Sequence, residues 1–229
     1  MPEPAHPAHQ RVLEAAAKRG VAIDVVTFSE STHTAQAAAD AIGVELGQIV
    51  KSLVFMGPVD PALPDGELEP LIALVRGTDR VDIARLSSVS GRPRLRRASA
   101  REAAATTGYV IGGIPPFGHR QRIAVVMDPG LDGYEEVWAA AGTSKGVFAI
   151  APGSLAKLAD ALVAPCAEEK DEPDPAADAA AGPATVDAAD ATAADPAPAD
   201  PRAADAATID PPDGTAAGPG PGDLVGDRE

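Results

Sequence analysis

The stretch Gln48–Met56, Q-I-V-K-S-L-V-F-M, limits what this chain can fold into more than any other. It is rich in β-branched and large apolar residues, short for a helix, and closed by Gly57-Pro58. That pattern predicts a buried strand. A strand turns alternate side chains to opposite faces. Lys51 therefore shares a face with Ile49, Leu53 and Phe55, while Val50, Ser52, Val54 and Met56 take the other. Both faces are largely apolar, so at least one of Lys51 and Ser52 has to point into the interior or line a cavity. The bland alternative is that Lys51 packs its stem and keeps its ammonium in water.

The flanking sequence alternates helix and strand signals. Helices are predicted at Gln10–Arg19, stopped by Gly20, and at Ala35–Ile42, capped near Thr34 and ended by Gly43. Asp79 or Asp82 can cap a helix through Val89. Ser99-x-x-Glu102 is a capping-box pattern opening a helix to Thr107. Ser154 is the predicted cap of a last helix to about Val163. Further strands are predicted at Val21–Phe28, Leu71–Val75, Tyr109–Ile111, Ile123–Met127, Val137–Ala141 and Val147–Ile150. Gly57–Pro70, with four prolines and two glycines, reads as an exposed hairpin-like loop. Short links between alternating elements predict a mixed α/β or α+β body with one core.

Charge separates the body from the rest. Residues 1–166 hold 16 Lys+Arg against 18 Asp+Glu, a net of −2, and residues 167–229 hold 3 against 16, a net of −13, of the chain's −15. From Ala167 onward the chain is mostly Ala, Pro, Asp and Gly, with no aromatic residue. Such a segment buries too little to offset its ordering entropy and is expected to be a disordered, solvating tail. The division expected is a flexible N-terminus over 1–8, a folded domain over 9–166 and the tail over 167–229. The single cysteine, Cys166, excludes an intramolecular disulfide and suits a reducing, cytoplasmic setting. No signal-peptide pattern and no run of membrane-spanning length is visible.

Familiar catalytic motifs are missing. Pro115-Pro116 follow Gly112-Gly113 too closely for a phosphate-binding helix start, and no nucleophile elbow or H-E-x-x-H helix occurs. His6 and His9 fall in a proline-rich start, which argues against a two-histidine site there. His119 adjoins the Gly/Pro loop, with a surface loop histidine as the bland reading. Cys166 lacks a basic neighbour in sequence and reads as an inert or surface thiol. Two signals remain: the strand lysine, and the loop Gly112–His119, whose glycines permit close backbone approach and whose prolines fix its geometry. The basic run Arg92–Arg97 can meet phosphate, or be a charged edge strand.

In order, an initial helix, T-F-S-E, an alanine-rich helix with A-I-G-V, Q-I-V-K-S-L-V-F, T-G-Y-V-I-G-G-I-P-P-F-G-H, A-G-T-S-K-G and A-P-G-S-L-A-K-L occupy residues 10–165. This succession resembles the YbaK-type aminoacyl-tRNA deacylases, the prolyl-tRNA synthetase-associated editing domain family. The resemblance implies an α+β fold with a mixed, curved, barrel-like β-sheet surrounded by helices. It implies a free-standing hydrolase that cleaves the ester of mischarged aminoacyl-tRNA, a small amino acid on tRNA-Pro or similar. The alternative is a non-catalytic aminoacyl-tRNA or protein binding module of the same fold. Lys51 matches the family's editing-site lysine, and Gly112 and Pro116 match the ends of its G-x-x-x-P loop. Phe28, Ser52, Gly113 and Gly142 complete the expected substrate site, and Arg94, Arg96 and Arg97 of the basic run are, on their charge, the expected tRNA contacts. No metal or cofactor is implied. The implied partners are aminoacyl-tRNA and, beyond it, a synthetase, with neither membrane nor DNA. Three departures stand out: Phe28 where relatives acting on cysteinyl-tRNA carry tyrosine, Ala141 where they often carry serine, and Phe148 near an acidic position. They imply a more apolar pocket.

Overall fold

The computed structural model describes residues 6–29, 31, 34–59 and 67–169. The tip of the expected hairpin loop and the acidic tail past Glu169 lie outside the described residues.

Among the described residues there are five α-helices and eight strands: α1 (Pro7–Ala17), β1 (Val25–Thr27), α2 (Ala35–Ile42), β2 (Val50–Pro58), β3 (Leu68–Arg76), α3 (Ile83–Ser90), β4 (Arg96–Arg97), α4 (Ala100–Thr107), β5 (Ala124–Met127), β6 (Val137–Ala140), β7 (Gly146–Ile150), α5 (Pro152–Ala159) and β8 (Ala161–Val163). The fold is α+β, as the sequence predicts. The sheet is divided in two. A mixed five-stranded sheet runs β4-β2-β3-β5-β8, and an antiparallel three-stranded sheet runs β1-β7-β6. One parallel bridge, Ile49 to Trp138, joins them.

The Lys51 strand is the centrepiece of the larger sheet. β2 pairs with β3 along its whole length, from Val50 opposite Arg76 to Pro58 opposite Leu68. β3 then pairs in parallel with β5, and β5 with β8. The two faces of this sheet bury different clusters. Val50, Val54, Ile72, Leu74, Val125 and Met127 join the main core with Val12 and Ala16 of α1, Leu155 and Leu158 of α5, and Phe148. Phe55, Leu71, Ala73, Val75 and Val126 face Leu86 of α3 and Cys166. Alternation along β2 therefore works as the sequence demands, and both of its faces are covered.

Several boundaries differ from expectation. α1 begins at Pro7, three residues early and inside the segment expected to be flexible, because proline suits a first helical turn and the His6 imidazole accepts the Ala8 N–H at 3.1 Å. Tyr109–Ile111 is a turn, not a strand: the Gly113 N–H donates to the Val110 carbonyl, and Val110 and Ile111 are 63% and 59% exposed. The capping box Ser99/Glu102 opens α4 as expected, whereas α5 starts at Pro152, ahead of Ser154. Asp160 then turns the chain at φ +51, and Ala161–Val163 continue as β8 rather than as helix. Composition marks a boundary after Cys166, yet the Asp128 carboxylate accepts both the Cys166 and Ala167 N–H at 2.8 Å, and the Glu168 N–H donates to the Arg80 carbonyl.

Candidate active site

An incomplete strand edge creates the site. One edge of β2 is filled by β3. On the other, β4 covers only Phe55 and Met56, and the Ala98 N–H donates to the Val54 carbonyl at 2.9 Å. In an antiparallel ladder alternate residues direct their peptide groups to the same edge. The N–H and C=O of Val50 and Ser52 therefore share the edge of Val54, beyond the end of β4. A cleft of about 280 Å³ opens there. Its walls are Thr34, Ala35 and Ala38 at α2, Ile49–Val54, Arg97–Ala98, Ala103, the turn Ile111–Gly112 with Ile114, and Trp138, Ala140, Thr143, Gly146 and Val147 from the smaller sheet. Side chains are mostly small and apolar, the usual lining of a small-ligand site.

Lys51 and Ser52 both line this cleft, from opposite faces of β2. The Lys51 ammonium donates to the main-chain oxygen of Asp79 at 3.1 Å. Burial lowers its pKa from the ordinary lysine value; the Asp79 charge opposes the shift, and the nearby cations Arg80 and Arg97 add to it. The Asp79 carboxylate also takes Arg76 at 2.5 Å and the Thr78 hydroxyl at 2.9 Å. Lys51 thus lies half-buried on a neutral acceptor, with Arg97 on the same wall. Arg97 itself lies over the Phe55 ring, 5.6 Å from its centroid. The Ser52 hydroxyl and the Trp138 indole N–H are buried with no hydrogen-bond partner among the described residues. A buried polar group left so costs about 1–3 kcal/mol.

The Gly/Pro loop meets the cleft with its first half only. Gly112, at φ +88, lines it beside Ile111 and Ile114. Gly113 sits behind, against the Thr143 backbone: a Cβ there would come within 2.6 Å of the Thr143 carbonyl carbon. Pro116 faces a second groove on the far side. That far side is pinned. The Tyr109 hydroxyl donates to the Gly118 carbonyl at 2.8 Å, and His119 Nε2, which can only donate to a carbonyl, bonds Pro115 at 2.7 Å. His119 is thus a structural clamp, held below its ordinary pKa by burial.

The remaining sequence-named residues scatter around the cleft. Phe28 is half-buried, with its N–H on the Lys145 carbonyl, and does not line the cleft. Gly142, at φ +100, lies against Ala8 and Tyr109. Arg96 forms an ion pair with Glu102, at 2.6 and 3.0 Å, and Arg94 takes a left-handed backbone, φ +53. Ala141 and Phe148 are fully buried in the main core, Phe148 against Phe117. Their neighbours Ala140 and Val147 face the cleft instead, so the expected apolar change at 141 and 148 falls in the core.

One contributor escaped the sequence reading. His9 is 5% exposed, and its Nε2 lies 2.8 Å from the Thr143 hydroxyl, which also accepts the Lys145 N–H at 3.2 Å. A Cβ on Gly146 would overlap the His9 ring. His9 therefore holds the Thr143–Gly146 turn against the cleft. A signal for it exists in the chain: His9, Val12 and Ala16 are spaced three and four apart, the stripe of a buried helix face.

This arrangement has close counterparts. The model for the aminoacyl-tRNA editing domain matches residues 29–158. The chain belongs to the aminoacyl-tRNA editing domain family. The multifunctional Ser/Thr-tRNA deacylase ProXp-y of Escherichia coli strain K12 is 31% identical over 121 residues, which cover 53% of this chain and 69% of that protein. EbsC of Enterococcus faecalis, named as a candidate Cys-tRNA(Pro)/Cys-tRNA(Cys) deacylase, is 26% identical over 57% of this chain and 75% of its own. A crystal structure of a candidate trans-editing enzyme for prolyl tRNA synthetase superposes with a TM-score of 0.64 at 41% identity, covering 72% of this chain and 99% of that one. The matched span contains the whole cleft, from Thr34 to Val147, and leaves out His9.

Proposed function

We infer that the protein is an aminoacyl-tRNA deacylase that acts in trans, with Lys51 as the catalytic cation. One observation carries this reading: a half-buried lysine, hydrogen-bonded to a neutral carbonyl, in a small apolar cleft of an editing-domain fold. The cleft lining contains no His, Cys, Asp or Glu among the described residues, so no thiol nucleophile and no imidazole or carboxylate base is offered there to activate a hydroxyl or a water. The chemistry assigned is direct attack of water on the ester carbonyl. The water oxygen bonds to the carbonyl carbon, the ester C–O bond breaks, and the ribose oxygen leaves with the proton the water gives up. The vicinal ribose hydroxyl of the substrate relays that proton. Lys51 stabilises the oxyanion, where a fixed cation in a dry site acts most strongly. Gly112 and the edge peptide of Ser52 orient the aminoacyl group.

The cleft has room for little more than the terminal ribose edge and a small amino acid, and relatives named for Ser/Thr-tRNA and Cys-tRNA substrates point the same way. A small residue misattached to tRNA-Pro is the substrate proposed, in a cytoplasmic setting where such tRNA occurs, with a prolyl-tRNA synthetase as the source of the error. The absence of acid–base side chains from the lining is also what a non-catalytic binding module would have, and that is the second reading. A deacylation screen against alanyl-, seryl-, threonyl- and cysteinyl-tRNA-Pro decides between them. Accelerated hydrolysis of at least one is expected; tight binding with no hydrolysis of any establishes the binding module.

A further inference from the structure

We propose that a second, basic groove on the far side of the Gly/Pro loop binds the backbone phosphates of the RNA whose acylated end enters the cleft. This rests on the deacylase reading. The groove holds about 370 Å³ and is floored by Pro116–His119, the back of the loop whose front half lines the cleft. Lys18 and Arg19 at the end of α1 form one wall, and Arg120 and Arg122, just before β5, form the other. All four are exposed. One carboxylate, Asp160, also lines the groove, and it pairs with Arg122 at 2.9 Å. Arg19 donates to the neutral carbonyl of Lys157 at 2.9 Å rather than to a carboxylate. Among the described residues no carboxylate pairs with Lys18, Arg19 or Arg120. Four cations against one carboxylate leave a surplus of three, on a body whose net charge over residues 1–166 is −2.

Loop geometry makes the pairing of cleft and groove meaningful. One rigid segment, clamped by Tyr109 and His119, separates them, so a chain with its end in the cleft passes close to the groove. Phosphate contacts of this kind position a nucleic acid without reading its sequence. The contrast with the run expected from sequence is specific: Arg96 there is already neutralised by Glu102, whereas Lys18 and Arg120 have no such partner among the described residues.

The test is the combined variant Lys18→Gln, Arg120→Gln, Arg122→Gln, leaving Arg19 in its structural bond. Thermal unfolding of this variant should match the parent, since the one exposed ion pair it removes contributes little. On full-length acylated tRNA, KM should rise at least tenfold. The slope of log(kcat/KM) against log[salt] should shrink by about two to three, roughly one for each phosphate that is no longer neutralised. On an acylated trinucleotide ending in CCA, which lacks the stem, kcat/KM should not change. Parent-like KM and salt slope on full-length tRNA overturn the groove while leaving the deacylase intact. An equal loss on the trinucleotide also overturns it, by placing these residues in the cleft's own business. Should the parent hydrolyse no acyl-tRNA, the deacylase reading fails on its own. Fluorescence anisotropy with a labelled, unacylated RNA hairpin bearing a CCA end then decides the groove: weaker, less salt-sensitive binding by the variant supports it, and unchanged binding overturns it.

Discussion

At the scale of single residues, Lys51 decides what the cleft can do. A half-buried ammonium costs desolvation, which the Asp79 charge only partly offsets, and Arg80 and Arg97 add repulsion. A lysine kept in such a place either reaches water or receives an anion. Lys51→Met keeps the stem and removes the charge. The variant should unfold at or above the parent's temperature and lose roughly a hundredfold in deacylation, the usual loss when one charge-stabilising group leaves an active site. Single-turnover hydrolysis alongside a melting curve measures both. Parent-like turnover would return Lys51 to the snorkelling role.

At the scale of elements, the cleft depends on two loops that touch. Gly113 packs on the Thr143 backbone, and the turn carrying Thr143 is anchored in turn by His9 of α1. Backbone against backbone leaves no flexible side chain to move aside. Gly113→Ala should therefore force the loops apart and cost about 1–3 kcal/mol in stability, as overpacking does. Activity should fall further than that loss of folded protein explains, because the spread passes directly to Gly112 and Thr143 in the cleft wall. Denaturant titration and kcat/KM on the same samples separate the two effects; an alanine variant with normal activity would show the loop contact to be irrelevant to the site.

For the whole molecule, two imidazoles, the buried His9 and the half-buried His119, link stability to pH. His9 is held below its ordinary pKa chiefly by burial, with the His6 charge adding to it, and His119 chiefly by burial, which its bond to Pro115 opposes. Unfolding releases both to about 6.5. Above that pH neither state is protonated and the folded state keeps its full advantage. As pH falls below it, the unfolded chain takes up protons that the folded chain refuses, so stability declines by up to about 1.4 kcal/mol per pH unit for each histidine. Melting temperature should drop between about pH 7.5 and 5.5, the range that brackets the unfolded-state value. His9→Gln and His119→Gln should each flatten that drop, and a profile unchanged in both variants would refute the assignment. Glu102, held well below the carboxylate range first by its Arg96 hydrogen bond, acts only at more acid pH.

Local rules make much of this protein legible from sequence. The apolar run of β2 predicts a buried strand and the Ser99/Glu102 box predicts a helix start, and both form, because each is governed by neighbours in the chain. The same run requires at least one of Lys51 and Ser52 to meet the interior or a cavity; that both line the cleft is a matter of the tertiary structure. What sequence could not supply was contact between segments far apart in the chain. His9 reaches Thr143 across 134 positions, whereas composition alone assigns its surroundings to a loose terminus. Ala140 and Val147 face the cleft in place of Ala141 and Phe148 because pairing register sets which side chains turn inward, and a shift of one residue reverses them. β8 forms because β5 offers it an edge, although the residues themselves read as the end of a helix. Tertiary structure alone decided these points, because each is set by the partner that long-range packing brings alongside.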